Sequence, residues 1–263
     1  MLLSCSTAVF LNPDSPVSEK IEDTKKAMSH ITSENYDGFE IFIPRNFTEE
    51  DIISVFEESK KYKDKAFSLH APKNILHKPY KEIFPNLGRL IKRAGEYNIK
   101  IIVLHPPYRT SLSSLLRSIF FIFDKMVDYA YKYNVTLTIE NVPYLQSPPD
   151  FYESLINRYW SNVGITLDVE YLFSTEFSLK RYSDKILKYL KNVHIRDYDG
   201  QSFDDEGNRK YLRLGEGFIN FSEIIDRLRK INYRGPLTVE TSFKNPLEDL
   251  KYSREFLLKL IKP

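Results

Sequence analysis

The chain predicts a closed (β/α)8 barrel, and three observations carry that prediction. Short runs rich in Val, Ile, Leu and Thr recur about every thirty residues. Helical segments with a single apolar stripe separate them. No linker or low-complexity stretch interrupts the series, so eight consecutive βα units argue for closure over an open sheet. A length of 263 residues is ordinary for one such barrel, and 1–263 is expected to form a single α/β domain.

The opening segment MLLSCSTAVF is apolar, but it lacks a basic leader and is too short to span a bilayer, so Leu2–Ser6 is read as the first strand. Gly38–Ile43 is the second. Thr48 with Asp51 three residues on marks a helix start, and the run from Glu57 to Lys65 has the spacing of a solvated helix face. The third strand is Ala66–His70, followed by a longer loop from Pro72 to about Pro79. Ile101–His105 is the fourth, and Leu115, Ile119, Ile122, Met126 and Tyr129 then share one helical stripe. Thr136–Glu140, Gly164–Asp168 and Asn192–Ile195 are strands five to seven. Trp160 and most of the Tyr and Phe residues are assigned to packing. The polar segment from Asp197 to Gly217 is a candidate lid or substrate loop. Asn220 with Glu223 opens a helix carrying Phe221, Ile225 and Leu228, Leu237–Glu240 is the eighth strand, and Asn245 ahead of Pro246 starts the last helix. All eight strands read as nearly continuous apolar runs, as expected of a parallel sheet covered on both faces.

Composition narrows the function classes. With 42% hydrophobic and 28% charged residues the chain reads as globular, and a net charge of +2 gives no electrostatic case for a nucleic-acid or membrane partner. The single Cys5 excludes an internal disulfide and fits a reducing, cytoplasmic setting.

Six potential metal ligands close six of the strands: His70, His105, Glu140, Asp168, His194 and Glu240. A carboxylate or imidazole inside an apolar strand is costly unless it is paired or holds a metal. The C-terminal strand ends are also where (β/α)8 barrels carry their active sites. Glu140, Asp168, His194 and Glu240 form a carboxylate and imidazole set without thiolates, suited to Mn2+ or Zn2+, with Mg2+ and Co2+ also compatible. An ion held this way could chelate a hydroxyl and an adjacent carbonyl and stabilise an enediolate. His70 and His105 could complete a second site that shares Glu140, giving an ion pair able to activate water against a phosphodiester.

Each residue also has a plainer reading. The four-residue set could be tied up in salt bridges, although three clustered carboxylates would repel without a cation. His70 and His105 could be neutral imidazoles packed at the barrel mouth or touching substrate. Glu40, inside the second strand, is read as a supporting carboxylate in preference to a ligand. Asp197 either orients His194 or is a simple loop residue. Leu214 to Gly217 (LGEG) is a turn in preference to a phosphate cradle, though its glycines leave backbone that an anion could approach.

The fragments LHAP, LHPP, IEN, LD, HIRDYDG, LGEGFINF and VE occur in this order after or near successive strands. Taken together they resemble the xylose isomerase-like TIM-barrel superfamily, over essentially the whole chain. That superfamily includes sugar-phosphate isomerases and epimerases and the endonuclease IV type of abasic-site endonuclease. In the isomerase and epimerase branch, the resemblance implies one metal on Glu140, Asp168, His194 and Glu240, with Glu140 and Glu240 as catalytic acid and base. In the endonuclease branch it implies three zinc ions, with His70, His105 and a bridging Glu140 at the first two. The positions matching ligands of the third zinc hold Tyr171, Arg209 and Tyr211. The isomerase branch commonly has a His where Tyr171 stands, and often an Arg at the position of Gly200. Tyr171, Arg196 and Arg213 are the candidates to bind substrate in their place, with Arg209 as a further one.

The expected function is therefore a divalent-metal-dependent isomerase or epimerase of a small sugar or sugar phosphate. A DNA-repair endonuclease with a reduced two-metal site is the alternative, and a barrel that only binds its ligand is a third. The expected partner is a small carbohydrate, with nucleic acid only under the alternative, no membrane, and homo-oligomerisation left open.

Overall fold

Successive residues of a strand point to opposite faces of the sheet. This chain uses that period to separate apolar from polar side chains. The computed structural model describes residues 1–145, 147–159, 161–175, 177–242 and 245–262. The strands are β1 (Leu2–Ser6), β2 (Gly38–Phe42), β3 (Ala66–His70), β4 (Ile101–Leu104), β5 (Thr136–Glu140), β6 (Val163–Asp168), β7 (Leu190–Ile195) and β8 (Pro236–Val239). They pair in sequence order, all parallel, and β8 closes back on β1. The fold is a single (β/α)8 barrel, as the sequence predicts.

β4 is a continuous apolar run, as expected, but β3, β5, β6, β7 and β8 alternate apolar with polar residues. Leu69, Leu137, Ile139, Ile165, Leu167, Val193, Leu237 and Val239 are buried in the apolar core. Between them Ser68, Thr138, Thr166, Asn192 and Thr238 are wholly buried polar residues, each two positions before a candidate ligand. They bond to one another or to Glu40 inside the barrel. Thr138 Oγ1 lies 2.7 Å from Thr166 Oγ1, Thr238 Oγ1 donates to Asn192 Oδ1 at 2.8 Å, and Ser68 Oγ donates to Glu40 Oε2 at 2.8 Å. Mutual hydrogen bonding makes such a polar layer tolerable away from water.

The helices are α1 (Val17–Ser33), α2 (Glu49–Ser59), α3 (Tyr80–Glu96), α4 (Leu112–Lys132), α5 (Pro148–Arg158), α6 (Val169–Ser174), α7 (Asp184–Leu187), α8 (Phe221–Lys230) and α9 (Pro246–Ile261). Thr48 and Asp51 form a reciprocal capping box on α2, and Asn220 accepts the Glu223 N–H at the start of α8. Asn245 does not cap α9 through its side chain; its own N–H donates to Asp249 Oδ2 at 3.0 Å. On α4, Leu115, Ile119 and Ile122 are buried, with Met126 and Tyr129 packed against the core. Lys60 and Lys61 pair with Glu57 and Glu58 on the exposed end of α2, contacts that contribute little to stability. Trp160 lies outside the described residues. Among the described residues no helix is long and apolar enough to cross a membrane.

Leu137 is fully buried between sheet and helices. Leu137→Ala should lower the unfolding free energy by about 3 kcal/mol through lost burial and a residual cavity, readable as a lower midpoint in urea denaturation.

Candidate metal centre

Parallel strands of a barrel deliver their last inward residues to one rim, and here those residues carry the chemistry. His70, Glu140 and Asp168 end β3, β5 and β6, while His194 is the penultimate residue of β7. β4 and β8 stop one residue short of expectation, so His105 and Glu240 lie just past their strands. All six are buried. They fall into two overlapping groups, Glu140–Asp168–His194–Glu240 and His70–His105–Glu140, with the ligand atoms of each group within 4.8 Å of one another. Glu140 belongs to both.

His194 is oriented from below. Glu40 Oε2 lies 3.2 Å from His194 Nε2 and also accepts from Ser68 and from Asn192 Nδ2, the latter at 2.9 Å. Nδ1 is thereby turned into the rim, 2.7 Å from Glu140 Oε1 and 3.0 Å from Glu240 Oε2. A carboxylate behind an imidazole in this manner fixes both its tautomer and its direction. Glu40 thus takes the supporting position expected of it.

His70 is oriented differently. Its Nδ1 lies 2.8 Å from the Ala71 carbonyl, which can only accept, so Nδ1 carries a proton. Nε2 faces Glu140 Oε2 at 3.5 Å, and His105 Nε2 reaches the same oxygen at 2.7 Å. Neither His70 Nε2 nor Glu140 Oε2 makes a hydrogen bond, although both are buried. Two buried acceptors aimed at each other call for a proton or a cation between them. The donor set therefore fits a divalent ion.

Charge in the cluster is finely divided. Burial pushes Asp168 up to about 7, against the pull of Arg196, while Glu140, Glu170 and Glu240 add to the rise. Burial also disfavours the charged forms of Glu140 and Glu240, but His194 pulls both below the usual carboxylate range, helped by His105 at Glu140 and by Arg196 at Glu240. Burial opposes protonation of His194, yet Glu40, Glu240 and Glu140 outweigh it and hold the imidazole well above its ordinary pKa. At His105 burial wins and lowers the pKa to about 4.

Asp168 Oδ1 caps α6 by accepting the Tyr171 N–H at 3.1 Å, and Oδ2 meets the Arg196 guanidinium. Arg196 also lies 3.3 Å from Glu170 and 3.9 Å from Glu240, and it stacks over the Tyr171 ring at 4.6 Å. Tyr171 and Arg196 therefore stand beside the ligand cluster. Arg213 is engaged with Asp249 at 2.5 Å and Glu248 at 2.9 Å, at the start of α9. Arg209 pairs with Glu170.

Asp197 does not orient His194. Its carboxylate accepts the N–H groups of Tyr198 (2.8 Å), Gly215 (2.7 Å) and Gly217 (2.9 Å), with Ile219 at 3.4 Å. The LGEG turn thus wraps a carboxylate of its own chain. A Cβ on Gly217 would lie 2.4 Å from Asp197 Oδ1 and 2.5 Å from the Tyr198 carbonyl, so only glycine fits there.

Two residues of the site escaped the sequence reading. Asn141 accepts the Asp168 N–H at 2.6 Å and donates to the Asp168 carbonyl at 3.0 Å, locking β6 to the β5 end. Its only signal is its place in IEN. Lys73, in the loop after β3, lies over the Phe42 ring, which packs on His70, and nothing but its nearness to His70 in sequence announces it.

A family model described as the xylose isomerase-like TIM barrel matches residues 29–260. The chain belongs to that family. An uncharacterised protein of Methanocaldococcus jannaschii is 24% identical over 260 residues, covering 90% of this chain and 84% of that one. Among solved xylose isomerase-like folds, a D-tagatose 3-epimerase-like protein superposes with a TM-score of 0.72 at 24% identity, over 100% of this chain and 97% of its own. The IOLI protein, crystallised with a zinc atom, superposes with a TM-score of 0.75 at 16% identity, over 99% and 98%. At these identities the superpositions establish the shared fold.

Divalent ions require deprotonated ligands, so binding competes with protons. With Asp168 raised to about 7 and His194 raised further, the ion-free cluster holds protons at neutral pH that an ion must expel. Affinity for Mn2+ or Zn2+ should therefore climb as pH rises through 7 and weaken below it, with net proton release. Calorimetry in buffers of differing ionisation enthalpy reads both.

Proposed function

We propose that this chain is a divalent-metal-dependent isomerase or epimerase of a small sugar or sugar phosphate, working as one domain over residues 1–263 in the cytoplasm. The observation that carries the reading is that Glu140 and Glu240 both meet His194 Nδ1, at 2.7 and 3.0 Å, within the four-residue cluster. The epimerase-like and zinc-bound descriptions of the two superposed structures support it.

Glu140, Asp168, His194 and Glu240 would hold the ion, with Mn2+ or Zn2+ favoured and Mg2+ or Co2+ compatible with the donor set. Bound there, the ion would act as a Lewis acid on a substrate carbonyl and its neighbouring hydroxyl. In the ion-free cluster His194 holds both glutamates below the usual carboxylate range, which weakens them as bases toward carbon, so the polarisation of the substrate by the ion carries the step. In an epimerisation one glutamate, ionised, would take the proton from carbon while the other, protonated, would deliver its own proton to the opposite face; in an isomerisation the glutamate that took the proton would pass it to the adjacent carbon. Tyr171 and Arg196, beside the cluster, orient the sugar oxygens. Arg213, the third candidate, is paired with Glu248 and Asp249 on α9.

The test combines metal analysis with a panel of ketoses, aldoses and their phosphates incubated in D2O. The expected result is one tightly held ion per chain and deuterium entering the substrate carbon beside its carbonyl. Absence of exchange on every sugar, from protein shown to retain its ion, would refute the reading.

One observation favours a second reading. The His70–His105–Glu140 group could hold a further ion, as an abasic-site endonuclease would need. Against it, Tyr171, Arg209 and Tyr211 offer no third set of ligands. Cleavage of an oligonucleotide bearing one abasic site, abolished by His70→Ala, would establish it over the first.

A further inference from the structure

We infer that the rim's affinity for its ion is set from beneath by two buried residues acting in opposition. Glu40 keeps Nδ1 of His194 open to the ion, and Asn192 favours the tautomer that would close it. Both are positioning residues, since neither belongs to the ligand groups. The inference rests on the metal-binding part of the proposed function and not on its sugar chemistry.

His194 meets two partners through Nε2. Glu40 Oε2 lies 3.2 Å away and Asn192 Nδ2 3.1 Å away, and these two atoms are themselves 2.9 Å apart, a nearly equilateral triangle. All three side chains are wholly buried. The amide cannot be turned round. Its Oδ1 takes the Thr238 hydroxyl at 2.8 Å, and rotation would set Oδ1 against Glu40 Oε2, acceptor facing acceptor. Ser68 donates to the same Glu40 oxygen at 2.8 Å, while Oε1 has no partner. Strands β2, β3, β7 and β8 thus fix one carboxylate oxygen and one amide nitrogen beside one ring nitrogen.

The two neighbours make opposite demands. A carboxylate oxygen accepts, so Glu40 calls for a proton on Nε2. An amide nitrogen only donates, so Asn192 calls for a bare Nε2 and leaves the ring proton on Nδ1. Neutral imidazole carries one ring proton, and a metal ion needs the lone pair of the other nitrogen. Nδ1 is the nitrogen turned to Glu140 and Glu240, at 2.7 and 3.0 Å. Glu40 therefore opens Nδ1 to the ion, and Asn192 alone would close it. A charge-assisted hydrogen bond outweighs a neutral one, which gives Glu40 the decision while Asn192 donates to Glu40 instead.

The experiment measures Zn2+ affinity by competition with a chelator in wild type, Glu40→Leu and Glu40→Leu/Asn192→Asp. Without Glu40, Nε2 faces the amide alone, and the single variant should bind Zn2+ about tenfold to a hundredfold more weakly. In the double variant a carboxylate oxygen replaces the amide nitrogen 3.1 Å from Nε2, keeps the acceptor for Thr238, and should recover most of that loss. A packing defect would not be repaired by a second substitution in the barrel interior. Heteronuclear NMR of Zn2+-loaded wild type, labelled at the histidine ring nitrogens, should show His194 protonated at Nε2 and ligated through Nδ1. Equal affinity of wild type and Glu40→Leu, a double variant no tighter than the single one, or a wild-type His194 protonated at Nδ1 would each overturn the inference. Should Glu40→Leu not fold, Glu40→Gln and Glu40→Gln/Asn192→Asp carry the same two comparisons, the first loss being smaller because a glutamine carbonyl still accepts. Wild type that binds no Zn2+ overturns this inference and the metal-dependent function together, whereas equal binding by the variants overturns this inference alone. Zn2+-loaded protein inert on every sugar rejects the isomerase reading and leaves the inference standing.

Discussion

Glu140→Gln is expected to lower turnover on any sugar substrate by about a thousandfold or more and to strip most of the bound ion from the purified protein. Glu140 is the one carboxylate common to both ligand groups, and it meets His194 and His105 at 2.7 Å each. Glutamine keeps the shape but loses the charge and the ability to take a proton from carbon. Metal content per chain and initial rates at saturating sugar measure the two losses separately. His70→Ala makes the informative comparison, because it leaves Glu140, Asp168, His194 and Glu240 in place. If a single ion serves the reaction, that variant should keep activity within about tenfold of wild type. A loss as deep as that of Glu140→Gln would mean that both groups are occupied and needed.

Asp197→Ala should destabilise the protein by about 3 kcal/mol, because three amides at 2.7–2.9 Å lose a charged acceptor in a buried setting. The effect is local as well as global. Hydrogen exchange at the Gly215 and Gly217 amides should rise well above that of the β7 amides, and the denaturation midpoint should fall. Unchanged protection at those two glycines would show that the carboxylate does not hold the loop. Asp197→Asn retains acceptor capacity and should show a smaller loss.

The barrel and the gathering of the candidate ligands at one rim were legible in the sequence for the same reason. Strand length and the two-residue period are local properties, and a parallel barrel sends the last residue of each strand to one rim whatever the loops do. Ser68 before His70, Thr138 before Glu140 and Thr238 before Glu240 repeat that period, a further signal that was read as part of apolar runs. What did not follow from sequence depends on how loops return to the barrel. Asp197 sits three residues after His194, a spacing that implies a helper, but the chain turns so that its carboxylate meets amides eighteen to twenty-two residues later. Arg213 carries the charge a substrate would want, yet the same loop sends it to Glu248 and Asp249. Lys73 shows the opposite case, an ordinary loop lysine by composition that the short path after β3 brings over the Phe42 ring.

The hydroxyl layer beneath the rim has a consequence for how this barrel can change. Thr138 and Thr166 satisfy each other, and water does not reach either. Valine at 138 strands the Thr166 hydroxyl, whereas valine at 166 leaves Thr138 its bond to the Ile102 carbonyl at 3.2 Å. The order of change is therefore fixed: position 166 can turn apolar first, and position 138 only after it.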